Sequence, residues 1–186
     1  MAITDPSGTI STTNLYSSGI GWQIGLISST TIKNGSTTFS TVTNTWTQDN
    51  TGLNFKENPR ISQVISTNDA GQQATAAYSY TASYGNVSQA AESGFGGLVR
   101  TTQTDYVTTS SYINQHIFNL ASQVRVYDGS GSLKSRTDLA YDGSSVSGVV
   151  GAAGHDDTNY GSSFNIRGNL TGTTTYSNAA AGSGST

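Results

Sequence analysis

The chain has 186 residues, a net charge of −3, no cysteine, and 33% hydrophobic but only 10% charged residues. That length suits one ordinary domain. The missing cysteines exclude disulfides, thiol catalysis and zinc–thiolate sites, and scattered cations exclude the clustered basic surface of a nucleic-acid binder.

From the N-terminus, Met1–Pro6 carries neither the basic nor the apolar region of a signal peptide. No apolar run reaches membrane-spanning length, so no membrane span is expected. Asp5-Pro6-Ser7-Gly8 is a turn of the type I kind, whose last residue can turn left-handed. The same frame recurs at Asn68-Asp69-Ala70-Gly71 and Asp128-Gly129-Ser130-Gly131, with closing glycines 63 and then 60 residues apart. A fixed period of that size marks a repeat architecture.

Between the turns, β-strand signals dominate. Thr31 to Phe39 sets Asn34-Gly35 between β-formers, a short hairpin signal. Ala74 to Ala82 reads as a strand carrying Tyr78 and Tyr80, and Leu133 to Asp142 alternates with period two. Phe55 to Pro59 reads as a loop. Capped helical periodicity is absent, so no helix beyond a single turn is expected.

A looser pattern punctuates the units at Gly25-Leu26-Ile27-Ser28, Gly85-Asn86-Val87-Ser88, Asn119-Leu120-Ala121-Ser122 and Gly168-Asn169-Leu170-Thr171. It follows the turn by 17 residues in the first unit, 14 in the second and 37 in the third. The third unit therefore holds an interruption, placed at 143–157.

These features predict an all-β fold of repeated antiparallel β-hairpins in a curved strip or sheet with open edges. About eight to ten strands of ordinary length are expected. The array spans 1–178 in about three units of ~60 residues, and 179–186 is a small-residue tail. Its structural turn residues are Asp5, Gly8, Asn34, Gly35, Asn68, Gly71, Asp128, Gly131 and Gly168.

Chemistry-bearing clusters are few. Adjacent residues on a strand diverge, so His155-Asp156-Asp157 reads as a solvated loop rather than a metal site. His116 stands alone. No catalytic residue, cofactor or metal is expected, and the chain is read as a non-enzyme. Trp22, Trp46, Tyr106, Tyr127 and Tyr141 suit either a sugar-binding surface or cross-strand aromatic packing.

Tyr127-Asp128 and Tyr141-Asp142 are Tyr-Asp pairs 14 residues apart. With Arg167-Gly168-Asn169-Leu170-Thr171, Tyr176, His155 to Gly161 and Asn44 to Leu53, they resemble the Rhs/YD-repeat family of environmental bacteria, from Asp5 to Asn178. The resemblance implies β-hairpin strips spiralling into a hollow shell on an extracellular or cell-surface protein. The chain is too short to close such a shell, and it lacks the family's self-cleaving region and toxin-like tail, so toxin activity is not implied. The expected role is a structural wall segment whose partner is the rest of a longer Rhs-like chain. The alternative is a self-assembling filament subunit that pairs with copies of itself through β-edges. A third reading is a carbohydrate-binding module.

Overall fold

The computed structural model describes residues 1–145, 153–179 and 183–185. They contain twelve strands, more than the sequence predicts, and helix only as single turns. The chain forms two compact units. The first comprises Met1–Thr102 with Asp128–Gly131, and the second comprises Gln103–Tyr127 with Ser132–Thr186.

The first unit holds β1 (Ala2–Thr4), β2 (Thr9–Leu15), β3 (Ile27–Asn34), β4 (Thr37–Thr47), β5 (Arg60–Asn68), β6 (Gln73–Tyr80), β7 (Val87–Gly94) and the start of β8 (Gly97–Tyr106). From β1 to β7 each strand pairs antiparallel with the next. The second unit holds the end of β8, β9 (Ala121–Asp128), β10 (Leu133–Tyr141), β11 (Leu170–Asn178) and β12 (Ser183–Ser185). Here β9, β10, β11 and β12 again pair in sequence order. Two one-turn helices, α1 (Ser110–Ile113) and α2 (Asp157–Tyr160), lie in its connections.

The fold is thus all-β, antiparallel and open-edged. Each strand meets its sequence neighbours, as a chain of hairpins dictates. Threonine and β-branched residues suit this pleated, half-wet environment. One row of the first unit aligns Thr12, Thr31, Thr41 and Thr67 across four successive strands.

The three Asx-to-Gly turns close the β1–β2, β5–β6 and β9–β10 hairpins. Gly8, Gly71 and Gly131 have φ of +83°, +76° and +81°. Their amides donate to Asp5, Asn68 and Asp128 carbonyls at 3.1, 3.1 and 3.0 Å. Asp5 Oδ1 accepts from the Ser7 amide at 2.9 Å, and Asp128 Oδ1 from the Ser130 amide at 3.0 Å. These side chains hold the turn by bonding the backbone two residues on.

Two expectations are corrected. The β3–β4 loop is Gly35-Ser36 rather than Asn34-Gly35, because Asn34 pairs with Thr37 as the last residue of its strand. Gly35, at φ +56°, supplies the positive φ that a two-residue hairpin loop needs at its first position. The second concerns the segment expected as a tail. Ser183–Ser185 forms β12 and pairs with Tyr176 and Asn178, because the open edge of β11 offers unpaired backbone groups to any extended segment. The interruption placed at 143–157 lies partly outside the described residues, as do 180–182 and 186 of the expected tail.

Burial is sparse. Among the described residues only Trp22, Gln48 and Ala179 are buried, at 2%, 4% and 7% exposure. Trp22 sits in a 3₁₀ turn, Gly21–Gln23. A Cβ on Gly21 would lie 2.7 Å from the Asn54 carbonyl oxygen, so only glycine lets this turn approach the 48–59 loop. That loop is organised by Gln48, which donates to Asn50 O at 2.7 Å and accepts from the Glu57 amide at 3.0 Å.

Gly131→Val should lower stability by about 1 kcal/mol or more, since the turn demands positive φ. Gly96→Ala, at a position without positive φ and with nothing within 4 Å of a Cβ, should leave stability unchanged. Urea unfolding of the two variants checks the contrast.

Candidate functional site

A recurring device marks one end of the hairpins. Near the end of a strand, an aromatic side chain donates a hydrogen bond to a backbone carbonyl at the start of the preceding strand. Trp46 Nε1 donates to Ile27 O at 2.8 Å, Tyr80 OH to Ile61 O at 2.5 Å, and Tyr141 OH to Ala121 O at 2.8 Å. At each ring the register with the following strand breaks, between Thr45 and Trp46, Ser79 and Tyr80, and Ala140 and Tyr141. A bulge locally increases twist and re-aims a side chain, which turns the ring back over the preceding strand. Tyr16 OH reaches Asn44 O at 3.1 Å beside a further break at Leu15.

The chain leaving each aromatic strand is closed by backbone bonds at the Gly-x pattern. The Tyr16 amide donates to Leu26 O, Thr81 to Asn86 O, Val107 to Leu120 O and Asp142 to Asn169 O, at 2.8 to 3.0 Å. Gly25, Gly85 and Gly168 precede the strand starts at positive φ. The four connections differ in length but share these anchor points. The long third spacing is therefore an insertion between fixed anchors.

The largest connection is held by Asp142. Its Oδ2 accepts from the Arg167 and Gly168 amides at 3.0 and 2.8 Å, and its Oδ1 from the Asn169 amide at 3.0 Å. Burial pushes the Asp142 carboxyl up, but these amide bonds and the Tyr112 hydroxyl outweigh it and hold the group below its ordinary value. Burial, reinforced by Asp142, holds the Tyr112 hydroxyl above its own. Arg167 Nε donates to Phe164 O at 2.6 Å, and Nη2 donates to Tyr160 O and Gly161 O, both at 2.9 Å. In the connection before β5, the Asp49 carboxylate accepts from the side chains of Asn58 and of Arg60, the first residue of β5, with the guanidinium 4.9 Å over the Tyr80 ring.

A polar network crosses one face of the second unit. Arg136 Nη2 bonds Asp138 Oδ2 at 2.6 Å, Tyr176 OH donates to that oxygen at 2.8 Å, and Gln123 Nε2 donates to Oδ1 at 2.9 Å. The Arg136 guanidinium lies 4.5 Å over the Tyr176 ring. Arg125 stands opposite Arg136 in the ladder and pairs with Asp105 at 2.7 Å, so two like charges are offset by two carboxylates. The Arg136 hydrogen bond leads the forces that lower Asp138 from 3.8 to about 2.

The cluster expected as a solvated loop is exposed at all three residues and leads into a one-turn helix. Asp156 caps α2, accepting from the Thr158 and Asn159 amides at 3.2 and 3.1 Å. Asp and Thr-Asn at this spacing favour an N-cap over an open loop. His155 Nδ1 bonds Asp157 Oδ1 at 2.7 Å. His116 sits at φ +59° with its ring edge-on to Phe118. Of the five rings considered for a sugar surface, Trp22 is buried and the other four are half-buried, with Trp46 and Tyr141 bonded to backbone carbonyls. The sequence reading missed the Asp142 socket. The Tyr-Asp pair and the Gly168 pattern were its signals, but the residues between them hid their contact.

No family model and no curated protein matches the chain. Among solved structures it is similar to a porin-like protein from Bacteroides uniformis, at 13% identity and a TM-score of 0.42, over 74% of this chain. The chain spans 64% of that protein's length. No helix among the described residues is long and apolar enough to cross a membrane.

Asp142→Asn should destabilise by about 1–3 kcal/mol, because three amides lose a charged acceptor. Tyr141→Phe, which removes one hydroxyl, should lower stability by about 1 kcal/mol. Chemical unfolding of both variants tests the order.

A group whose folded pKa is depressed contributes stability above its unfolded value and loses it as pH falls through the folded one. For Asp138 that window runs from 3.8 down to about 2. Thermal melts across it should fall more steeply for the native chain than for Asp138→Asn.

Proposed function

We propose that this chain is a non-enzymatic structural scaffold, a β-hairpin wall segment of an Rhs-like secreted or cell-surface protein. The observation that carries the reading is the latch. Aromatic and carboxylate side chains at the strand ends spend their polar atoms on the chain's own backbone, so their chemistry goes into fixing strands and loops.

The two Tyr-Asp pairs support the family reading in the same terms. Tyr127-Asp128 supplies the carboxylate that orders a hairpin turn, and Tyr141-Asp142 supplies one latch and one loop socket. A wall also tolerates loops of different length between fixed anchors, whereas an active site demands fixed geometry.

One observation favours a second reading, in which copies pair into a filament. The first strand engages β2 through Met1 and Asp5, whose backbone groups bond Thr13 and Thr9. Alternation of the ladder then points the backbone groups of Ala2 and Thr4 outward. Such an edge accepts another strand, whether from a longer chain or from another copy.

Multi-angle light scattering of the purified chain, with negative-stain imaging, tests both readings. Each predicts edge-to-edge association that Ala2→Lys with Thr4→Lys abolishes while circular dichroism keeps its β signal. Ordered filaments select the second reading, and small or irregular assemblies select the first. A monodisperse monomer that unfolds cooperatively overturns both.

A further inference from the structure

We propose that Asn34 is a site of spontaneous covalent modification, at which the Gly35 amide nitrogen closes on the Asn34 side-chain carbonyl. The nitrogen loses its proton and bonds to Cγ, and the side-chain nitrogen leaves as ammonia. Water then opens the five-membered imide at either carbonyl, leaving aspartate or isoaspartate at position 34. No oxidant, metal or enzyme enters the balance.

The step needs an unhindered nucleophile and an uncommitted amide, and the fold supplies both here. Gly35 is exposed at φ +56°, a Cβ there would meet nothing within 4 Å, and its amide donates no hydrogen bond. The exposed Asn34 amide has a single long bond, from Nδ2 to Ser7 O at 3.4 Å. Asn34-Gly35 is the one Asn-Gly pair in the sequence.

The same ring can form at Asp-Gly, and there the structure blocks it. Asp142, before Gly143, has its carboxylate held by three backbone amides. Asp128, before Gly129, has its Oδ1 bound by the Ser130 amide and hydroxyl at 3.0 and 2.6 Å. Of these three Asx-Gly pairs, Asn34-Gly35 alone combines an unbound nucleophile with a nearly free acyl group.

The product acts on the strands. Asn34 pairs with Thr9 on one side and Thr37 on the other. Isoaspartate adds a methylene to the main chain there, which shifts the register of both pairs. Aspartate replaces the donor facing Ser7 O by a carboxylate, so two acceptors meet. Either product loosens the end of β2, β3 and β4 and makes this hairpin the point where the scaffold ages.

The test incubates the full chain, folded and in urea, at mildly alkaline pH beside the folded Asn34→Gln variant, whose longer side chain closes the ring far less readily. Peptide mapping reads the mass shift of an amide-to-acid exchange, and isoaspartyl methyltransferase labelling reads the branched product. The expected result is a mass shift and label confined to the peptide holding residues 34–35 in the folded chain, and absent from the variant. A folded chain that stays unmodified there, with or without conversion in urea, overturns the proposal, as does modification spread over other asparagines.

Discussion

The backbone hydrogen-bond ladder carries this structure, because almost nothing else is buried. Trp22 is the one large side chain fully out of water among the described residues, and its indole N–H finds no hydrogen-bond partner. Ordinary domains bury an apolar face of each sheet against a second layer. Here most strand positions are half-exposed, so hydrophobic burial per residue is small. Each ladder bond nets only about 1 kcal/mol, and strand order must therefore come from many weak bonds in one fixed register.

That dependence explains the latches. A ladder without a covering layer can slip, and a slip of one residue exchanges the faces of a strand. A bulge with an aromatic ring at the end of the strand prevents the slip, since the ring meets its carbonyl in only one register. Trp46, Tyr80 and Tyr141 do this at three hairpins. The rings also cover backbone that would otherwise be wet and frayed. With the strand ends pinned, the connections are free to vary, from the short 81–86 link to the long one held by Asp142.

The parts of the fold that depend on short-range chemistry could be read from the sequence. Asp5 to Gly8, Asn68 to Gly71 and Asp128 to Gly131 are turns because a carboxylate or amide and a glycine act within four residues. Alternation from Leu133 likewise announced a strand ending within one residue of where it does. Devices that join distant residues were not legible. Bulges at Trp46, Tyr80 and Tyr141 leave no local mark, and the bond from Asp142 to Arg167 and its neighbours spans 25 residues or more. At β3–β4 the dipeptide was right and the frame was off by one, because pairing of Asn34 with Thr37 depends on the flanking strands. The small-residue end read as tail because composition carries no record of an open edge beside it.

Charge placement follows the same logic within each unit. Along β2 to β6 the central rows hold threonine, serine, asparagine, isoleucine, alanine and valine, so neither face there carries a field that repels a neighbour. In the second unit charge is admitted, but neutralised in place. Arg125 faces Arg136 across the ladder, an arrangement that by itself destabilises a sheet. Asp105 and Asp138 offset it, and Tyr176 ties Asp138 to β11. These ions bind strand to strand and leave little unpaired charge on the face. The edge of β1, with the backbone groups of Ala2 and Thr4 turned outward, offers one direction of association, along the ladder itself.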